Sequence, residues 1–145
     1  MVVQIALGSA LMLVTILIGA VSALALEIGF LRGQPWLMRE PQRLKLLLVV
    51  TVISIWVLGV VTLGVWMWTA LFLTLGLFPT VEEAVYFALV VYTTLGLGDV
   101  LAPPDWRILS AMAAANGFLT FGLQTALLVE ALRHVRLRQV EYRGR

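Results

Sequence analysis

The chain has 145 residues, 61% of them hydrophobic and only 12% charged, with a mean hydropathy of +1.01. A water-soluble domain this short is mostly surface and could not hide that much apolar area, so the composition points to lipid as the solvent. The formal charge of +2 comes without a basic block joined to aromatics, which argues against nucleic acid, and the lack of cysteine removes disulfides and thiolate metal sites.

Residues 1–26 carry no charged side chain. As a helix they reach about 39 Å, enough to cross a hydrocarbon core of roughly 30 Å. Glu27, Arg32 and a polar stretch with Gly33, Pro35 and Pro41 predict an end to this helix. Residues 1–30 are therefore expected to be an additional transmembrane helix and 31–43 a cytoplasmic loop. A cleavable signal peptide is the alternative, since "AVSALA" offers small residues for cleavage. Against it stand the missing basic n-region and the charge sidedness given below. The helix has no arginine ladder, so it is no voltage sensor of the known kind.

The next uncharged run, 46–81, would be about 54 Å long as a helix, too long for one crossing. The expected solution is one helix over 43–70 followed by an apolar turret to Pro79. Trp66 and Trp68 are expected at the membrane interface, where indole rings settle.

Residues 80–93 predict a short helix that cannot cross. Thr80 follows Pro79 and precedes Glu83 by three residues, the pattern of a capping box, and Glu82 and Glu83 suit the positive end of the helix dipole. In "YTTLGLGDV", Gly96 and Gly98 then let the chain change direction. Irregular backbone at membrane depth is tolerated only inside protein or against water, so this is a re-entrant loop.

The third full-length run is 108–129, about 33 Å as a helix. Asn116, Thr120 and Gln124 share one of its faces, either as the wet face of a pore or as glue between helices. Gly117 and Gly122 allow close packing. Glu130 and Arg133 form an i, i+3 pair, and His134 reads as a solvated histidine. Arg32, Arg39, Arg43 and Lys45 lie after the first helix and five arginines follow residue 132, whereas only Arg107 lies on the other side. The positive-inside rule then puts the first loop and the C-terminus in the cytoplasm and the N-terminus outside, which three crossings satisfy.

A dehydrated cation needs replacement oxygens, and converging backbone carbonyls supply them when alternate residues adopt left-handed dihedrals. Glycine does so almost freely. Here "TTLGLGD" resembles the filter signature of the potassium-channel pore family, threonine–x–glycine–tyrosine–glycine–aspartate. The likeness runs through "RILSAMAAANGFLTFGLQTALL" and covers about 44–133. It implies an all-α membrane protein assembled as a homotetramer: three transmembrane helices plus a re-entrant pore helix over 80–93, a filter over 94–99 and an inner helix over 106–133. A basic cytoplasmic tail, 134–145, follows.

By the same resemblance, Thr94, Leu95, Gly96 and Leu97 hold potassium through their carbonyls, with the Thr94 hydroxyl, and Gly98 and Asp99 complete the filter. Tyr86 and Phe87 stand at the family's aromatic pair, with Thr93 as further support, and Tyr86 is expected to hold Asp99. Gly117 falls at the gating hinge. Phe118, Phe121, Thr125 and Val129 fall where the family lines its cavity, which turns the polar stripe away from the pore. Leu97 departs from the family's tyrosine. Leucine occurs there in some two-pore-domain potassium channels, but it cannot hydrogen-bond to surrounding aromatics.

The expected function is a passive potassium channel in a cell membrane, with no catalytic residue and no cofactor beyond the permeant ion. Glu82, Glu83, Asp99 and Asp105 are expected to make its outer mouth acidic. The alternatives are a weakly selective cation channel and a non-conducting scaffold or accessory subunit. An enzyme is disfavoured because the spanning segments lack intramembrane ionisable groups.

Overall fold

The structure, a computed structural model, describes the backbone of residues 1–37 and 42–143 and the side-chain surroundings of 1–29, 32–33 and 44–133. Over these residues the chain is helical, with α1 at Val2–Leu37, α2 at Gln42–Thr74, α3 at Val81–Tyr92 and α4 at Arg107–Arg143. A 3₁₀ turn at Pro104–Trp106 leads into α4. Three stretches are long and apolar enough to cross a bilayer: Val2–Gly29, Leu44–Thr74 and Pro104–Arg133. The 12 residues of α3 span about 18 Å and are too short to do so.

Helix ends differ from those the charges predict. α1 continues past Glu27 to Leu37, α2 begins at Gln42, and α4 runs on through the basic tail to Arg143. Charge ends a membrane span but not a helix, which bonds its own backbone groups in water as in lipid. Residues 38–41 and 144–145, and the side chain of His134, lie outside the described residues. Glu130 and Arg133 pair at 4.0 Å on an exposed surface, a contact of little weight.

The expected turret is a tight fold-back. α2 continues to Thr74, and the Leu77 N–H bonds the Phe72 carbonyl at 3.0 Å. This returns the Phe78 ring to within 6.2 Å of Phe72 and 4.7 Å of Phe87, and Phe72 lies 5.4 Å from Phe87. Trp68 joins Phe72 from one turn below. The aromatic cluster fixes α3 against the upper part of α2. Only Trp66 of the two expected interfacial indoles is exposed; Trp68 is fully buried.

Trp68 is buried because a polar seam needs it. Its Nε1–H donates to Asn116 Oδ1 of α4 at 2.9 Å. The Thr15 hydroxyl of α1 lies 3.0 Å from the same oxygen and 2.8 Å from the Met12 carbonyl, and its one proton serves either. The Thr120 hydroxyl donates to the Asn116 carbonyl at 2.9 Å and accepts from Tyr92 of α3 at 3.0 Å. Asn116, Thr120 and Gln124 are all buried, so the stripe is glue between helices. α1 runs parallel to α4 along this seam. Gln4 bonds the Asp105 carbonyl and the Leu109 N–H, Gly8 lies against Met112, and Gly19 against Gln124.

Asn116→Leu leaves the Trp68 N–H buried without an acceptor, and we expect a loss of about 1–3 kcal/mol in detergent unfolding. Adding Trp68→Phe should restore part of that loss, since neither partner is then left unpaired.

Candidate functional site

α3 begins as its sequence predicts. The Thr80 side chain caps it, with Oγ1 accepting the Glu83 N–H at 3.2 Å, and Glu82 and Glu83 occupy the first turn. Its other end sets up the loop. The Thr94 N–H bonds the Val91 carbonyl at 2.9 Å and the Leu95 N–H bonds the Val90 carbonyl at 3.0 Å, the paired bonds of a Schellman cap. The Gly96 N–H shares the Val90 carbonyl at 3.3 Å.

This cap places Thr94 in the left-handed region at φ 59°, and Gly96 and Gly98 follow at 60° and 79°. Leu95 and Leu97 between them do not adopt positive φ. Glycine takes that conformation freely, but a β-branched residue there is an outlier that costs about 1–3 kcal/mol. The sequence pattern names the two glycines and misses Thr94, because threonine carries no signal for this geometry.

The N–H groups of residues 94–96 turn back onto α3, and the Asp99 and Val100 N–H groups lie toward the Asp99 carboxylate and help to lower its pKa. Among the described residues, no protein donor reaches the carbonyls of residues 94–98. The N–H groups at the start of the loop are thus paired within the chain, whereas the N–H groups of Leu97 and Gly98 and the carbonyls of residues 94–98 have no protein partner among the described residues.

The Tyr86 hydroxyl donates to Asp99 Oδ2, as the resemblance implies. This bond, with help from the two backbone donors, holds the Asp99 carboxyl below its usual range. The same bond raises the Tyr86 phenol, so the donor stays protonated and the acceptor stays ionised. Phe87 is turned the other way, buried in the aromatic cluster. Thr93 caps its own helix, bonding the Leu89 carbonyl at 2.7 Å.

Tyr92 is a joint that sequence reasoning does not reveal. Its ring is fully buried, and a Cβ on Gly64 of α2 would stand 2.4 Å from its hydroxyl. A Cβ on Gly117 of α4 would stand 1.8 Å from its carbonyl oxygen. Two glycines and Thr120 thus clamp the residue immediately before the Thr93–Thr94 pair. Spacing alone shows only that Gly64 and Gly117 are small. Phe118, Phe121, Thr125 and Val129 lie on exposed α4 surface, apart from the buried stripe. Glu82, Asp99 and Asp105 are exposed at the loop's end of the molecule.

Three helices of spanning length, with a capped half-length helix and a left-handed loop between the second and the third, define a multi-pass membrane protein. Residues 46–134, more than half of the chain, match the family model described as an ion channel, and the chain belongs to that family. Comparison with curated proteins gives no match, and neither does comparison with solved structures.

Gly117→Ala drives a methyl group into the Tyr92 carbonyl, and we expect it to lower thermal stability in detergent by at least the roughly 1–3 kcal/mol of an overpacked core. Gly122→Ala meets nothing within 4 Å and should be tolerated. The Tyr86–Asp99 bond yields a pH prediction. Because the folded Asp99 carboxyl is lowered, its stabilising bond is present above the ordinary carboxylate range and is lost only as pH falls through the depressed value. Tyr86→Phe removes the main cause of that depression, so acid inhibition of ion flux should begin at higher pH than in wild type.

Proposed function

We propose that this ion channel is a homotetrameric, potassium-selective pore in a cell membrane, with the N-terminus outside and the C-terminus cytoplasmic. The observation that carries this reading is the run of carbonyls at 94–98 with no protein donor, on a backbone that alternates left-handed residues. Bare carbonyls in a low-dielectric interior are costly, and a dehydrated cation is the partner that relieves them. In this reading the carbonyls of Thr94, Leu95, Gly96 and Leu97, with the Thr94 hydroxyl, hold potassium ions in single file.

Four copies supply what one lacks. Thr93 through Asp99 are exposed in the single chain, and irregular backbone at membrane depth needs protein or water around it. Copies around a shared axis cover one side of each loop and leave water and ions on the other. Phe118, Phe121, Thr125 and Val129 then line the cavity below. A bend at Gly117 is the proposed opening motion, and it has to part α4 from the Tyr92 carbonyl.

One feature favours a second reading, a weakly selective cation pore. Leu97 and Phe87 both lack hydrogen-bonding groups, and Phe87 is committed to its own subunit's core. The filter then has no polar springs at its middle, and Tyr86–Asp99 is the tether at its outer end.

Purified protein in liposomes under mixed potassium and sodium gradients separates the readings. A reversal potential near that of potassium, with block by barium, supports selectivity, and one midway between the two ions supports the second reading. Gly96→Ala should abolish flux while the fourfold particle still forms, since only the left-handed backbone is disturbed. Leu97→Tyr should keep or sharpen potassium preference. Absence of flux and of a fourfold particle in wild type would refute both readings.

A further inference from the structure

Outside the pore loop, a groove of about 810 Å³ lies between α1 and α2. Ile18 and Ala25 form one wall, Val52 and Gly59 the other, and the Trp56 Nε1–H bonds Ser22 Oγ at 2.6 Å between them. The lining is otherwise apolar, so the groove takes hydrocarbon rather than water. It opens on faces of α1 and α2 that point away from the core: Thr15 and Gly19 of α1 and Trp68 and Phe72 of α2 face the other way, toward α4 and α3.

Its dimensions fit one lipid tail. Along α1 the lining runs from Val14 to Ala25, about 16 Å of helix and about half of a roughly 30 Å hydrocarbon core. It starts near the middle of the Val2–Gly29 span and ends about one turn short of its end, so it occupies the depth of one leaflet.

Charge selects the headgroup. Arg32 is exposed and lies seven residues beyond Ala25, hence on the same face of α1 and about 10 Å further along. Lys45, seven residues before Val52 on α2, is buried, so the headgroup contact rests on the exposed Arg32. Glu27, the acid nearest in sequence, sits two residues from Ala25 and points to the opposite side of the helix.

We propose that this groove binds one acyl chain of an anionic phospholipid, with the headgroup held at Arg32. The site belongs to the added helix and its neighbour, so it does not depend on which ion the pore selects.

The test reads Trp56, which lines the groove. Protein in detergent is titrated with phospholipids brominated on the acyl chain, and the Trp56 signal is taken as the difference between wild type and Trp56→Phe. Brominated phosphatidylglycerol should quench that signal at a concentration about five-fold lower than brominated phosphatidylcholine. Arg32→Gln should bring the two together. Gly59→Phe, which fills the groove, should remove quenching by both while particle size stays unchanged; Ile18→Phe from the other wall replaces it if the size changes. Equal quenching by both lipids in wild type, or undiminished quenching in the filled variants, overturns the proposal. Protection of Trp56 from both lipids in wild type gives the groove to a second copy of the chain and equally overturns it.

Discussion

In hydrocarbon every backbone polar group must find a partner within the protein, and a loop that breaks a helix at membrane depth has to meet that demand without water. The end of α3 meets it for the first donors of the loop and for none of its carbonyls. The Schellman cap absorbs the N–H groups of residues 94–96, while those of Leu97 and Gly98 have no protein partner among the described residues. The carbonyls of the same stretch are left over. The left-handed position of that cap is Thr94, and Gly96 and Gly98 continue the alternation of backbone hand. One local device thus ends a helix and starts the alternating backbone.

A device with a strained threonine at its start has to be held from outside. The Tyr92 clamp holds it at the inner end, where Gly64, Gly117 and Thr120 leave the ring and carbonyl no room. The Tyr86–Asp99 bond holds it at the outer end. Between these anchors the aromatic cluster of Phe72, Phe78 and Phe87 fixes the body of α3. The loop is exposed, yet each of its ends is tied to a rigid helix, which is how a site on irregular backbone keeps its geometry.

Much of this is legible in the sequence, because it depends on length and on glycine. Uncharged runs give the crossings, Thr80 and Glu83 mark the start of α3, and Gly96 and Gly98 mark the turn. Other features depend on tertiary contact. The left-handed Thr94 is imposed by the cap. Trp68 and Trp66 share a composition signal, and only the Asn116 oxygen distinguishes the buried one from the exposed one. The charges at Glu27 and Arg32 mark the edge of the bilayer, which a helix simply ignores. The stripe of Asn116, Thr120 and Gln124 has the right period for either a wet face or a seam. Its partners Thr15, Trp68 and Tyr92 lie far away in sequence and settle it as a seam.

The seam also gives the added helix a mechanical place. Gln4 meets Asp105 and Leu109, Gly8 meets Met112, Thr15 meets Asn116, and Gly19 meets Gln124. Each contact pairs a residue of α1 with one about a hundred positions later, so two parallel helices stay in register over most of the membrane. Asn116 ties that pair to α2 through Trp68 and, through Thr120, to the end of α3. A tilt of α4 below Gly117 must therefore carry α1 with it or break contacts at Gly19. The stiffness of α4 is thus shared with α1. The Gln124 amide is buried in that pairing with neither atom bonded among the described residues, so parting the two helices there breaks no side-chain hydrogen bond and opens a costly unpaired group to new partners.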